Sequence, residues 1–259
     1  MFKLLSVLAL ATACSAASLK VELESNRVLP FVDSSLPIEF ADKTAKAAPA
    51  IKNLASTYAY AVDLSGAIPV AQLTCLRQQG YAAVFVRAYN PAGVGSFDTN
   101  SCTTIQNAYT AGLGIEIYIT PQPSSTKQGY QQLDEVYQGL NARGITVRSV
   151  WIQQYGLQVG IYTSYYDWNQ ITNGWTSVGS DVLLWYWNVL GGGASGESPA
   201  NFSDFRSFGC WATPSVKQFA QVETVCSLTV NRDVYLTSSL SQNDAVEDDG
   251  KPVVGFIRK

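Results

Sequence analysis

The sequence predicts a single α/β domain, an irregular (β/α) TIM-like barrel in which one crossover helix is missing after the fourth strand. Short apolar runs that end in polar or aromatic residues alternate with helical patterns, which is typical of βα units and a parallel sheet. The chain has 259 residues, 47% of them apolar, enough for one sizeable core. The first run, Tyr58 to Ser65, carries the carboxylate of Asp63 near its C-terminal end, and parallel barrels carry functional groups at such strand ends.

The remaining elements follow from local patterns. The first helix has Pro69 at its start and Gly80 after its end, positions that these residues favour. The predicted strands are Tyr58–Ser65, Tyr81–Tyr89, Gly114–Thr120, Ile145–Ile152, Val159–Tyr162, Val182–Asn188 and Leu228–Tyr235, and the predicted helices are Ile68–Gln79, Ser101–Ala111 and Thr126–Ala142.

The alternation breaks after the fourth strand. Only a few residues separate Gln153 from the next strand at Val159, whereas a parallel pair needs a crossover of about a dozen residues or more. Either the barrel is incomplete, or these strands pair differently, or the coding sequence is truncated here.

The sequence divides into four predicted segments. Residues 1–17 combine Lys3, an apolar run and small residues near Ala17, the pattern of a cleaved secretory signal, so we expect a secreted, extracellular protein. Residues 18–57 are a leader or linker of unknown role, residues 58–235 the barrel, and residues 236–259 a tail with a short apolar end.

Composition excludes several classes of function. The net charge is -3 and the signal removes one cation, so we expect neither nucleic acid nor a membrane surface as a partner, and we expect a monomer. The chain contains no histidine, which excludes Ser-His-Asp and Cys-His catalysis and most zinc hydrolases. Carboxylate chemistry remains.

Four cysteines stay once the signal is removed, and an even number in an exported chain favours disulfides. Three pairings are possible, and we favour Cys75 with Cys102 and Cys210 with Cys226 because each closes a short local loop. Asn201-Phe202-Ser203 fits a glycosylation acceptor in an exposed loop after a glycine-rich stretch.

Several pieces of the chain together resemble glycoside hydrolase family 25, the lysozymes, and most closely its nematode and protist branch. The likeness runs from about Tyr58 to Tyr235. The matching pieces are Tyr60-Ala-Val-Asp63-Leu-Ser65, Phe85-Val-Arg87-Ala-Tyr89, Tyr118-Ile-Thr-Pro-Gln-Pro123, Val159-Gly-Ile-Tyr-Thr-Ser-Tyr-Tyr-Asp-Trp168, Leu184-Trp-Tyr-Trp-Asn188 and Val230-Asn-Arg-Asp233.

The resemblance implies an irregular barrel that cleaves the β-1,4 link between N-acetylmuramic acid and N-acetylglucosamine in bacterial cell-wall glycan, without metals or organic cofactors. Asp63 matches the family's first catalytic acid and Asp233 its last. The fourth strand should carry an Asp-x-Glu pair whose Glu is the general acid, but Gln153 and Tyr155 occupy those two positions. Glutamine cannot donate a proton as an acid does.

Aromatic and polar side chains at the other strand ends are candidates for substrate binding. Rings stack on sugar faces, and alternation places Trp185 and Trp187 on one face of their strand and Tyr186 on the other. Arg87 ends a strand in a chain with few charges, and we expect it to contact substrate or Asp63. The predicted substrate-binding residues are Arg87, Tyr89, Gln122, Tyr162, Trp185 and Trp187.

Two further acids have competing interpretations. Glu116 shares a strand face with Tyr118, and we favour a rim or ion-paired role over that of a replacement acid. We interpret Asp167 as the N-cap of the next helix. The sequence therefore predicts a secreted lysozyme-type glycosidase with a digestive or antibacterial role. There are two alternatives. One is a noncatalytic glycan-binding protein that has lost its acid, and the other is a misassembled gene product.

Overall fold

The structure is a computed structural model that describes residues 46–51, 57–149, 159–179, 181–239 and 250–257. The strands are β1 (Lys46–Ala47), β2 (Tyr58–Leu64), β3 (Tyr81–Asn90), β4 (Ser96–Phe97), β5 (Gly114–Ile119), β6 (Thr146–Val147), β7 (Gly160–Thr163), β8 (Leu183–Trp187), β9 (Val216–Val225), β10 (Leu228–Leu236) and β11 (Val253–Val254). The helices are α1 (Val70–Gln78), α2 (Asn100–Thr110), α3 (Gly129–Asn141) and α4 (Tyr165–Thr172). Within the described ranges, no helix is long and apolar enough to cross a bilayer.

The main sheet is mixed and curled. Its strands follow the order β4-β3-β2-β10-β9-β8-β7, with β5 also paired to β3 and β1 to β9. β3 and β8 are four places apart in this order, yet the rings of Phe85 and Trp185 lie 4.6 Å apart between their centroids. The sheet must therefore curl until its two halves face each other. The fold is α/β as predicted, but the described strands form an open curled sheet, and a complete barrel is not present among them.

The prediction that all barrel strands are parallel is wrong for the last one. β10 pairs antiparallel with both β2 and β9, because β9 and β10 form a tight hairpin. Cys226 and Ser227, at the tip of the hairpin, both have positive φ, as the favoured two-residue hairpin turns require. We did not predict β9, because Lys217, Gln218 and Glu223 interrupt its apolar pattern even though all three are buried.

The disulfide links this hairpin to the first helix. Cys75 in α1 is bonded to Cys226, with Cα atoms 5.9 Å apart, whereas Cys102 and Cys210 are free. The predicted pairs Cys75 with Cys102 and Cys210 with Cys226 are therefore wrong. Loop length did not decide the pairing. The hairpin brings the distant Cys226 against α1, whereas Cys102 is on the buried face of α2.

Both flanks contribute to the domain. β1 belongs to the predicted leader and pairs parallel with Glu223 and Thr224 of β9, and Ile51 packs against the main core. The predicted apolar end of the tail forms β11, which pairs parallel with β6, and the N–H of Gly255 donates to the carbonyl oxygen of Ile115 in β5 (2.8 Å). β11 thus lies between β6 and β5.

The tail is held by a buried carboxylate and requires one glycine. Glu116 accepts hydrogen bonds from the backbone N–H groups of Phe256 (2.7 Å) and Ile257 (2.8 Å) and from the hydroxyl of Ser149 (3.1 Å). Gly255 has φ +95°, and a Cβ there would lie 2.1 Å from Ser149 Oγ. Glu116 does not lie at the rim, as one of the expected roles required, because it is buried and its carboxylate anchors the tail.

Candidate active site

Alternation along the strands places one set of side chains on the inner face of the curled sheet. Asp63 shares this face with Ala61 on β2, and Asn231 and Asp233 share it on β10. Asn231 is the register partner of Asp63, and Asp233 is the partner of Ala61. The two predicted acids therefore lie on neighbouring strands of one face, with Asp233 one layer deeper because β10 runs antiparallel.

Asp63 is buried, and two side-chain amides orient its carboxylate. Gln218 Nε2 donates to Oδ2 (2.6 Å) and Asn231 Nδ2 donates to Oδ1 (3.1 Å). Burial raises the pKa of Asp63 from 3.8 to about 6, and the two amide hydrogen bonds limit that rise because they favour the charged form.

Asp233 has no exposed surface. Trp185 Nε1 donates to its Oδ1 (3.0 Å), and Oδ2 has no hydrogen-bond partner among the described residues. Burial, and next the charge of Asp63, raise the pKa of Asp233 well above its ordinary value. The two amides favour the charged form of Asp63, whereas burial and the charge of Asp63 disfavour the charged form of Asp233.

A strained bulge in β9 positions one of the two amides. Val222 has φ +54°, which is unfavourable for a β-branched residue, and its N–H donates to Asn231 Oδ1 (3.1 Å). The pairing of β9 and β10 shifts register at Asn231. The backbone of the bulge therefore donates to Oδ1 of Asn231, and this leaves Nδ2 of the same side chain pointing at Asp63. Bulges often reorient side chains at active sites in this way.

Aromatic side chains surround the pair as predicted, but with different exposure. Tyr162 is 44% exposed, and its hydroxyl donates to Gln218 Oε1 (2.9 Å). Trp185 is buried against Tyr162 with ring centroids 4.8 Å apart, so it supports that ring and holds Asp233. Trp187 is partly exposed, and its indole N–H donates to Asp167 Oδ2 (2.8 Å). Of these three predicted sugar contacts, Tyr162 and Trp187 present accessible surface.

Three other predicted binding residues are engaged within the protein. Arg87 does not bind Asp63 and forms an ion pair with Asp98 (3.0 Å). Tyr89 has no exposed surface. The Gln122 side chain donates to the carbonyl oxygens of Pro91 (2.7 Å) and Gly93 (3.1 Å) and joins two loops.

The remaining predicted positions have mixed outcomes. Asp167 is not the cap of α4, because Ser164 is the N-cap and accepts the Asp167 N–H (3.0 Å). Asn201 is partly buried and its Oδ1 accepts the Ser203 hydroxyl (2.6 Å), which leaves its glycosylation a prediction. Gln153, Tyr155 and the predicted signal segment lie outside the described residues. The sequence analysis missed Gln218 and Asn231, although Asn231 lies inside one of the matching pieces.

In the described part of the chain, no group of three or more Cys, Asp or Glu side chains is arranged to hold a metal ion. The chemistry of the site rests on its carboxylates, amides and rings.

Comparisons with known proteins identify the family. A family model described as lysozyme-like protein 1 matches residues 54–154 and 152–219. Lysozyme-like protein 7 of Caenorhabditis elegans is 58% identical over 95% of this chain and 93% of its own length. A probable GH family 25 lysozyme 2 of Dictyostelium discoideum is 30% identical over 67% of this chain and 89% of its own length. The chain belongs to the lysozyme-like branch of glycoside hydrolase family 25.

Membership in this family suggests a peptidoglycan-hydrolysing glycosidase. Among solved structures, a family GH25 lysozyme from Aspergillus fumigatus is similar with a TM-score of 0.46 and 16% identity, covering 69% of this chain and 94% of its own.

The same comparisons locate a difference from the relatives. The alignment with lysozyme-like protein 7 runs over 272 positions, more than the 259 residues of this chain, so that relative contains residues without a counterpart here. The family model matches in two parts that meet at residues 152–154, where the predicted crossover is too short. The sequence has no Asp or Glu between Glu135 and Asp167. This lysozyme-like chain therefore lacks a carboxylate in the stretch where the resemblance places the general acid.

The hydrogen bond from the side-chain amide of Gln218 should be measurable as a change in the titration of Asp63. Replacing Gln218 with leucine removes a donor that favours the charged carboxylate, so the pKa of Asp63 should rise above its value of about 6. NMR titration of labelled aspartate carboxyl groups measures this, with Gln106→Leu on the exposed side of α2 as the control. A midpoint that stays or falls in the Gln218 variant would contradict the assignment.

The raised pKa of Asp63 also determines how its contribution to stability changes with pH. Folded Asp63 binds its proton more tightly than the unfolded side chain, whose pKa is near 3.8. Its contribution to stability is therefore greatest below about pH 4 and declines as the pH rises to about 6.

Proposed function

We propose that this chain hydrolyses the β-1,4 link between N-acetylmuramic acid and N-acetylglucosamine in bacterial peptidoglycan. One observation carries the proposal: the carboxyl groups of Asp63 and Asp233 are buried on one face of neighbouring strands, and two amides orient Asp63 beside the partly exposed ring of Tyr162. The names of its relatives as lysozymes support the same reaction.

The charge on Asp63 is suited to the chemistry of glycoside cleavage. The transition state resembles an oxocarbenium ion, and a fixed carboxylate stabilises the developing positive charge. Gln218 and Asn231 hold both oxygens of Asp63 before substrate arrives, so little reorganisation is needed during the reaction. Trp185 Nε1 holds Asp233, and the raised pKa of Asp233 disfavours a second charge beside Asp63.

Protonation of the leaving group is the weak point of the site. General acid catalysis contributes about 10²–10⁴-fold to rates, and the sequence has no acid between Glu135 and Asp167. We therefore expect hydrolysis that is slower by about that factor than in a lysozyme with a complete set of acids.

The missing acid also favours a second candidate function. A protein that retains Tyr162 and Trp187 but lacks the proton donor would bind the glycan without cleaving it. Such a protein would act as a cell-wall glycan receptor of the same fold.

An assay with purified cell walls distinguishes hydrolysis from binding without cleavage. The protein is incubated with walls from lysozyme-sensitive bacteria, and turbidity, released reducing ends and the protein that sediments with the walls are measured together. Clearing with new reducing ends supports hydrolysis, and sedimentation without clearing supports the receptor. Absence of both would refute the proposed function.

We further propose that the protein is secreted and has a digestive or antibacterial role. The apolar segment within residues 1–17 supports export, as does a disulfide, which persists mainly in oxidising compartments. Mass spectrometry of protein from culture medium, with the new N-terminus located, tests the export.

A further inference from the structure

A cleft at the end of β8 includes Trp187 and is not lined by either carboxylate of the pair. It has a volume of about 590 Å³ and lies between the first turn of α4, the end of β8 and the loop before β9. We call it the aromatic cleft. The residues that define it here are Tyr165, Tyr166, Trp187, Phe205, Arg206 and Ser207.

The aromatic cleft exposes rings that a folded protein usually buries. Tyr165 is 62% exposed and Tyr166 is 67% exposed, on consecutive positions of α4. The Tyr165 ring rests edge-on against Phe208, which fixes it at the wall of the cleft (5.9 Å between centroids). Adjacent exposed rings in a concave surface typically mark a binding site.

Trp187 connects the aromatic cleft to the strand position next to the Asp63 site. Trp187 lines the cleft, and in the sheet it is the register partner of Gln218, the residue that orients Asp63. Its indole N–H is held by Asp167 in the first turn of α4, next to the two exposed tyrosines. A polymer bound at Asp63 can therefore continue over Trp187 into the cleft.

Charge in the aromatic cleft favours a ligand that is neutral or carries a carboxylate. The acid at its floor, Asp204, is paired with the buried ammonium of Lys217 (2.7 Å) and accepts the Tyr186 hydroxyl (2.8 Å). These bonds and the charge of Lys217 offset its burial and lower the pKa of Asp204. Its charge is therefore neutralised by Lys217, and the exposed Arg206 leaves a positive group at the cleft.

We propose that the aromatic cleft binds further sugar units of the same glycan strand, with Tyr165 and Tyr166 stacking on sugar faces and Arg206 pairing with a carboxylate on the glycan. Sugar rings present C–H faces that pack on aromatic rings, and guanidinium groups pair well with carboxylates. This inference rests on the proposed function, because it takes the cell-wall glycan as the ligand of the Asp63 site.

Paired variants test the aromatic cleft by binding. The double variant Tyr165→Ala/Tyr166→Ala is compared with Tyr109→Ala/Tyr130→Ala, whose tyrosines are 46% and 51% exposed on α2 and α3. Affinity is measured for long glycan strands released from walls and for a single disaccharide unit. We expect the cleft variant to bind long strands about tenfold more weakly and the disaccharide equally well, because loss of stacking costs about that much. We expect the control variant to match the wild type.

Arg206→Ala separates the charged contact from stacking. It should weaken binding of long strands that carry muramic carboxylates and leave binding of N-acetylglucosamine oligomers unchanged. Unchanged affinity of both cleft variants for long strands would overturn the inference while leaving the proposed function intact. If the wild type binds no wall glycan at all, the proposed function fails first, and the inference fails with it.

Discussion

Replacing Asp63 with asparagine should lower the rate of wall clearing by at least about a hundredfold, because the variant loses the negative charge that stabilises the transition state. Asparagine has nearly the same shape, but its amide cannot accept hydrogen bonds at both former oxygens, so one of the donors from Gln218 and Asn231 loses its partner. The measurement is the initial rate of reducing-end release from purified walls at a pH above 6.

The expected result separates catalysis from binding. Sedimentation of the Asp63→Asn variant with intact walls should remain within a few fold of the wild type, since Tyr162 and Trp187 are unchanged. Asp134→Asn on α3 is the matched control and should retain the wild-type rate. Equal clearing by the Asp63 and Asp134 variants would remove Asp63 from the mechanism.

Replacing Cys75 with serine should reduce the free energy of unfolding by about 4–5 kcal/mol, because the disulfide with Cys226 closes a loop with a sequence separation of 151. The bond constrains the unfolded chain, and the cost of closing so long a loop returns when the bond is removed. It also holds the β9–β10 hairpin, whose bulge positions Asn231 against Asp63. Urea unfolding followed by tryptophan fluorescence measures the change.

The control for the disulfide is Cys210→Ser. Cys210 forms no disulfide within the described residues, its Sγ donates to the carbonyl oxygen of Val178, and serine keeps that donor. We expect at most about 1 kcal/mol of destabilisation from this change. Peptide mapping under non-reducing conditions should recover Cys75 linked to Cys226, and recovery of Cys75 linked to Cys102 would contradict the structure.

The elements with regular local patterns were predictable from sequence. Pro69 and Gly80 delimit α1 as expected, and the apolar runs of β2, β3 and β5 are strands within a residue or two of the predicted ends. Asp63 and Asp233 do lie on one face of neighbouring strands, but through the antiparallel pairing of β2 and β10 and not at the ends of two parallel strands.

What escaped prediction depends on long-range pairing. β9 contains buried Lys217 and Glu223, which pair with Asp204 in the preceding loop and with Arg232 across the hairpin. No local pattern reveals such partners. Gln218 was missed for the same reason, since its role depends on Asp63. The predicted direction of β10 was also wrong. An antiparallel hairpin is usually recognised by an Asn-Gly turn, and the two-residue turn here is Cys226-Ser227.

The tail segment between β6 and β5 has a consequence for folding. Phe256 meets Glu116 across 140 residues of sequence, so this contact forms only after a very large loop has closed. Domains whose contacts are far apart in sequence fold slowly. Until β11 has docked, the apolar cluster that contains Ile257 and Trp185 remains open to water. The early folding species of this chain should therefore bind hydrophobic dyes and depend on chaperones, and a peptide that mimics residues 250–257 would compete with the chain for its own unfinished sheet.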